Sequence, residues 1–439
     1  MGHHGQIKAQ YRDLANRLEV SPVSMPEPDD PRAWQGWKDI LEILYSPEQA
    51  ELASQLPVFP SSLNKIARRL NVSPDQLKPR LDAMCDKGLV LDLVHPRTGQ
   101  VKYLLSPPVV GFFEFSLMRA HDDIPKKKMA EALEAYTHFD DAFAREVFGH
   151  DTVVGRAMVH ENSLGQAMDQ SSEVLDWQRS TALISDARSI AVSLCYCRHK
   201  AEHLGTACTA PQDVCLSLNG GAEFVLRHNF GRTIAKAEAL DILTASREQK
   251  LVQIADNVKN QPSYICNCCG CCCGQLQSIN QYDLQGVNPS GFQPVCADAD
   301  CNGCARCSKS CPVAAIAMTP VRREGQIQNE MRPAMDPDRC IGCGVCATSC
   351  SRGALKMEAG GHSRHIPANA IERSLRTVIE NGRLGYFLFD EGAGRGHKFL
   401  NRVCRALNDL PGAQKILASE QVSSRFLRAA MGTVADPGS

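Results

Sequence analysis

The sequence predicts a multidomain α+β protein, and three observations carry that expectation. The chain has 439 residues, a length that suggests two to four domains, each able to bury a core without covalent help. Amphipathic helical patterns and short strand signals occur together in its first and middle parts. Nineteen of its 21 cysteines fall between Cys195 and Cys350, which sets one stretch apart from the rest.

That clustering argues against disulfide staples. No basic segment followed by an apolar one opens the chain, and no apolar run approaches the ~18 residues that a membrane span requires. A soluble, cytoplasmic protein is the expectation. Thiols stay reduced in that compartment, so dense cysteine there points to metal or redox chemistry. A net charge of −1 also disfavours a dedicated nucleic-acid binder, whose footprint is usually basic.

Residues 1–33 read as a helix and linker, and residues 34–110 as a first domain. Ser61–Leu70 has the pattern of a short amphipathic helix, Asn71–Pro74 that of a turn with a cap and a helix-start proline, and Asp75–Lys87 that of a second helix. Gly88–Val94, turn residues His95–Gln100 and Val101–Leu105 then form a hairpin. This order resembles the winged-helix domain. The resemblance implies DNA contact through Asp75–Lys87 or a role in protein docking. Eight Lys/Arg against four Asp between 61 and 103 is only mildly basic, and Pro79 would bend the recognition helix. DNA is therefore an unlikely partner.

Residues 111–290 read as a central cysteine-rich domain of mixed α/β character. A helix is expected over 127–148, with Met129, Leu133, Tyr136, Phe143 and Val147 on its apolar side. Another is expected over 231–250, followed by a strand at Lys250–Ile254. Ser189–Cys197 reads as a strand that projects Cys195 and Cys197 to one face. Cys208 and Cys215 follow, and then Cys266, Cys268, Cys269, Cys271, Cys272 and Cys273 within eight residues. Gly270 and Gly274 would let the backbone wrap closely around a bulky inorganic group. Adjacent cysteines do not easily bind one cluster together, so the partition of these ten is left open. They suffice for two cubanes, or for one unusual cluster beside a reactive thiol pair. His199 and His203 stand near the first group, but a solvent-facing or helix-pairing role suits them equally well.

Residues 291–360 contain an internal repeat. Cys301-Asn-Gly-Cys304-Ala-Arg-Cys307-Ser-Lys-Ser-Cys311 and Cys340-Ile-Gly-Cys343-Gly-Val-Cys346-Ala-Thr-Ser-Cys350 match at an offset of 39 residues. Ala315, Ile316 and Met318 correspond to Ala354, Leu355 and Met357. A C-x2-C-x2-C-x3-C run suits a cubane because a tight loop aims three thiolates at three irons while the fourth points away. Residues 296–357 resemble a bacterial two-cluster ferredoxin, with Pro312 in its usual place and Ser351 where a second proline is common. The resemblance implies crossed ligation, with Cys301, Cys304, Cys307 and Cys350 on one [4Fe–4S] cluster and Cys340, Cys343, Cys346 and Cys311 on the other. Zinc knuckles would favour two C-x2-C pairs across a long gap. A plant-type register through Cys296 fails because Cys340 has no counterpart five residues upstream. Cys296, Cys85 and Cys404 are expected to be ordinary thiols.

Residues 361–439 read as a mostly helical extension: helix 370–381, an apolar strand 384–389, a glycine-rich loop 392–396 and helix 397–409. The loop lacks the third glycine of a dinucleotide fingerprint. No organic cofactor is supported, and the implied cofactors are [4Fe–4S] clusters, two in the repeat and one or two more at the central cysteines.

Over residues 34–430 the order of segments is similar to a set of cytosolic iron–sulfur proteins of anaerobes. That resemblance implies architecture more than reaction. The leading expectation is an electron-transfer protein, a subunit of a larger redox complex whose partners are oxidoreductase subunits, a ferredoxin or a flavoprotein, with docking to a membrane complex left open. One alternative is a reductase acting on a disulfide or sulfur compound at the central site. Another is a redox-sensing winged-helix regulator.

Overall fold

Two compact units account for the chain, the first formed by residues 1–152, 227–230 and 367–439 and the second by 153–226 and 231–366. The computed structural model describes residues 7–164, 179–323 and 326–388. Residues 111–152 join the N-terminal segments, and the ferredoxin-like repeat shares a unit with the central cysteines.

In the first unit, local capping fixes where helices start. Asp30 accepts from the N–H groups of Arg32 and Ala33 to open Pro31–Leu44, and Ser46 and Gln49 form a reciprocal capping box at Pro47–Ser54. The expected helix–turn–helix–hairpin order is present as Leu63–Leu70, Pro74–Cys85, Val90–Val94 and Val101–Leu105. Ser73 and Gln76 box the second helix. Ser61–Ser62 adds an antiparallel edge to the hairpin beside Val101–Leu105.

Two expectations fail in this unit. The single helix over 127–148 is two helices, Lys126–His138 and Ala142–Phe148. The break falls where Asp140 turns its carboxylate onto the N–H of Ala142, and also onto those of Asp29 and Asp30, the local bonding by which aspartate competes with a helix. The segment expected as a strand at 384–389 is helical over Leu384–Leu388. A short apolar run does not distinguish the two by periodicity. The helix expected over 370–381 is present as Ala370–Glu380. The glycine-rich loop 392–396, helix 397–409 and Cys404 lie outside the described residues.

The second unit is built on a six-stranded antiparallel sheet. Across it the order is Gly155–Ala157, Val252–Asp256, Tyr264–Cys268, Asp213–Leu218, Ile190–Leu194 and Arg232–Thr233. Alternation sorts the side chains. Leu216, Leu218, Ala255 and Ile265 enter one apolar group with Ile190 and Val192. Val252, Ile254 and Cys268 enter another, with Cys266 packed beside it, as a period of two requires.

The ferredoxin-like part is closed by Phe292–Cys296 pairing antiparallel with Leu355–Ala359, and a hairpin, Ile316–Arg323 with Gln326–Met335, separates the repeats. No helix among the described residues is long and apolar enough to cross a membrane.

Candidate metal centres

The two repeats fold alike because their backbones need the same unusual angles. Gly303 and Gly342 have φ of +69° and +67°, Ala305 and Gly344 have +60° and +83°, and Ala314 and Gly353 have +52° and +65°. Each pair is 39 residues apart, like the cysteines. Left-handed residues at these points curl the loop so that successive cysteines converge.

The chain thereby gathers the cysteines into two groups. Cys301, Cys304, Cys307 and Cys350 line one pocket, joined by Cys296. Cys311, Cys340, Cys343 and Cys346 line a second, walled by Val313, Ile341 and Met357 among others. In each, the fourth cysteine comes from the other repeat. Four thiols in a largely apolar wall are a donor set that fits a cubane. Cys304 is exposed, whereas Cys343 and Cys346 are buried, so the first group lies nearer solvent. Backbone donors also point at sulfur. Ala315 N–H donates to Cys311 Sγ at 3.2 Å. Burial works to raise the Cys350 thiol, but N–H groups of Arg352, Leu355, Ala354 and Gly353 bring it below its usual value.

The ten central cysteines fall into two sets. The first is a run of thiols that act on one another's titration in the order Cys195, Cys197, Cys273, Cys268, Cys266 and Cys215. Strand register explains one link. Leu216 pairs with Ile265 and Ser217 with Tyr264, so Cys215 and Cys266 stand opposite each other. Cys273 follows from its place as the N-cap of helix Gly274–Tyr282. Cys195 and Cys197 correct the expectation of a strand. The strand ends at Leu194, Cys195 N–H donates to Gln212 O at 2.7 Å, and His199 N–H returns to Cys195 O at 2.9 Å. Both cysteines thus sit at the start of helix Tyr196–His203, and the neighbouring Cys197 thiol, then burial, hold Cys195 well above its usual value.

The second set is Cys208, Cys269, Cys271 and Cys272, whose sulfurs all lie within 4.8 Å of one another. Between the sets stands Arg198, 1% exposed. Its Nη1 donates to Asn267 O at 3.0 Å and to Cys269 Sγ at 3.7 Å. Its Nε and Nη2 are buried with no hydrogen-bond partner among the described residues. A buried cation with unused donors among ten thiols fits an anionic inorganic group. Thiol donors hold Cys266 well below the usual range, those of Cys215 and Cys268 most strongly, and the Arg198 charge adds to them. Cys269, bonded first of all by Cys272 and then by Arg198, is lowered to about 4.

His199 and His203 face each other, Nε2 to Nε2 at 3.1 Å. Cys85 is buried in the first unit, where burial pushes its thiol up. Cys296 lies against Cys301, and burial foremost raises its thiol to about 11.

Gly270 is also required by packing. A Cβ there would lie 2.6 Å from Pro312 O, so the residue lets the cysteine loop pack on the backbone beside Cys311. Asn280, which sequence reasoning did not single out, donates to Pro312 O at 3.1 Å and to Gly270 O at 3.4 Å. Nothing in the local pattern around Asn280 marks it. The sorting of Cys266 and Cys268 to one face, by contrast, was open to a reading of strand alternation over 264–268.

Residues 300–354 match the family described as 4Fe-4S dicluster domain. No curated protein and no solved structure matches the chain. The match spans both cysteine repeats and supports 4Fe–4S cluster binding by residues 300–354.

Proposed function

We propose that this chain is a multi-cluster electron-transfer protein, in which two ferredoxin-type [4Fe–4S] clusters exchange electrons with a further iron–sulfur centre on the six central thiols. Cys301, Cys304, Cys307 and Cys350 would hold the first cluster, and Cys340, Cys343, Cys346 and Cys311 the second. Such clusters take up or release one electron each, at potentials set by charge, hydrogen bonds to sulfur and exposure.

One observation carries the reading. Cys268 and Cys273 of the central set and Cys343 of the second ferredoxin group pack in the same apolar group as Val313, Ile341 and Val345, with Cys266, Cys311 and Cys340 packed against it. Protein without intervening solvent therefore joins the two sites. The residues have distinct tasks: Val313, Ile341 and Val345 exclude water, the Ala315 N–H steadies Cys311, and Arg198 balances thiolate charge. The exposed Cys304 side offers the point of electron uptake or release. Its partner would be another redox protein: an oxidoreductase subunit, a ferredoxin or a flavoprotein.

The test is a redox titration of anaerobically purified full-length protein, followed by electron paramagnetic resonance, with the Cys301→Ser/Cys304→Ser variant alongside. At least three centres are expected, two of them magnetically coupled. The variant should lose the first centre and pass electrons from a reduced protein donor to the central centre more slowly. Only two centres in the parent, or equal rates in both proteins, would refute the relay.

A further inference from the structure

We infer that Cys208, Cys269, Cys271 and Cys272 form a mononuclear tetrathiolate site that binds one zinc ion, separate from every iron–sulfur cluster of the chain.

The spacing of the four sulfurs suits a single ion. Four thiolates on one ion at about 2.3 Å, tetrahedrally placed, stand about 3.8 Å apart. Here Cys208 and Cys269 are 3.6 Å apart, Cys271 and Cys272 are 3.7 Å apart, and all four sulfurs lie within 4.8 Å of one another. A cubane gives each thiolate an iron of its own and holds its four sulfurs farther apart. The chain contains its own control. Among the described residues, neither ferredoxin quartet, nor any three of the six central thiols, gathers as tightly.

Local structure explains how adjacent cysteines reach one point. Strand Tyr264–Cys268 ends and helix Gly274–Tyr282 begins around a short turn. Cys268 and Cys273, at its two ends, join the core. Cys269, Cys271 and Cys272 on the turn itself meet Cys208 from the loop that follows helix Tyr196–His203. Arg198 donates to Cys269 and offsets part of the negative charge that four thiolates leave on a divalent ion. Soft sulfur donors in a tetrahedron select zinc, which has no redox chemistry of its own. The ion would clamp the turn 269–272 to the loop at Cys208, holding the adjoining six-thiol set in register without carrying electrons.

Full-length protein purified without oxygen, with its Cys208→Ser and Cys271→Ser variants, tests this by zinc, iron and acid-labile sulfide analysis. Parent protein should hold about one zinc per chain, lost from both variants, with iron and sulfide unchanged. Unchanged sulfide also certifies that the variants fold. Protein produced with cobalt(II) should show the absorption of a tetrahedral cobalt thiolate, absent in both variants. Loss of iron from either variant, or unchanged metal in both, overturns the assignment. The electron relay is judged on the iron centres, which the same analysis counts separately.

Discussion

Replacing Gly270 by alanine places a methyl group where the structure has no room for one. The new carbon would lie 2.6 Å from Pro312 O, 3.2 Å from Pro312 Cα and 3.3 Å from Pro312 C, where ordinary contact begins at 3.4 Å. All three atoms are backbone, so no side chain can rotate away, and the turn must retreat by about 0.8 Å. Asn280 resists that retreat, because it bonds both Gly270 O and Pro312 O. Overpacking of this kind costs about 1–3 kcal/mol, and the stiffer unfolded chain returns about 0.4–1 kcal/mol. A net loss of about 1–2 kcal/mol corresponds to about 2–8 °C in a unit of this size. The assay is the midpoint of thermal bleaching of cluster absorption at one scan rate, with Gly274→Ala as the control. At Gly274 the nearest atom is Tyr196 Oη at 3.9 Å, so the control should stay within about 0.5 kcal/mol of the parent. A Gly270→Ala midpoint equal to the parent's, or a larger drop in Gly274→Ala, would refute the packing argument and weaken the case for contact between the central and ferredoxin-like sites.

Three further outcomes are expected. Gly342→Ala puts a Cβ against Phe292 O and Ser290 Oγ at a φ of +67°, so iron and sulfide should fall by the content of one cluster. Gly353→Ala, strained by φ but open in space, should keep both clusters; equal loss in the two variants would be evidence against loop shape as the cause. Arg198→Met removes a buried charge beside the central thiols, and at an effective dielectric of about 20 a unit charge a few ångströms away is worth about 2–4 kcal/mol, on the order of 100 mV for one electron. The central potential should fall, with Arg198→Lys in between; an unmoved potential in Arg198→Met rules out the charge-balancing role. His228 lies 2.7 Å from Asp86 and 3.2 Å from Asp92. Burial opposes its charge, yet hydrogen bonds to the two carboxylates raise its pKa above 6.5. Its contribution to the first unit is thus fully present below the ordinary histidine value and is lost as pH rises through the raised one. His228→Gln should flatten that part of the stability profile, measured by chemical unfolding across neutral to mildly alkaline pH, and an unchanged slope would show the reasoning to be false.

Much of this chemistry was legible because it is local. The 39-residue repeat, its glycines and its cysteine spacing are short-range requirements of a loop that closes on a cluster, and a linear reading captures them. The hairpin and its two preceding helices were legible for the same reason, through Ser73, Gly88 and the alternation that follows. Readings failed where local signals compete or carry no sign. Asp140 broke one expected helix, and the apolar run 384–388 gave no period to choose by.

What the sequence by itself determined is that cysteine is concentrated in one stretch and that two C-x2-C-x2-C-x3-C runs repeat at an offset of 39 residues. Only the tertiary structure decided how the other ten divide. Cys269 and Cys268 are neighbours in the chain, yet one meets Cys208 on a loop and the other enters the core beside the second ferredoxin group. That choice depends on which strands pair, on Cys195 and Cys197 standing at a helix start, and on a glycine flush against Pro312. These are relations between distant segments, set by sheet register and close packing, and spacing along one chain does not encode them.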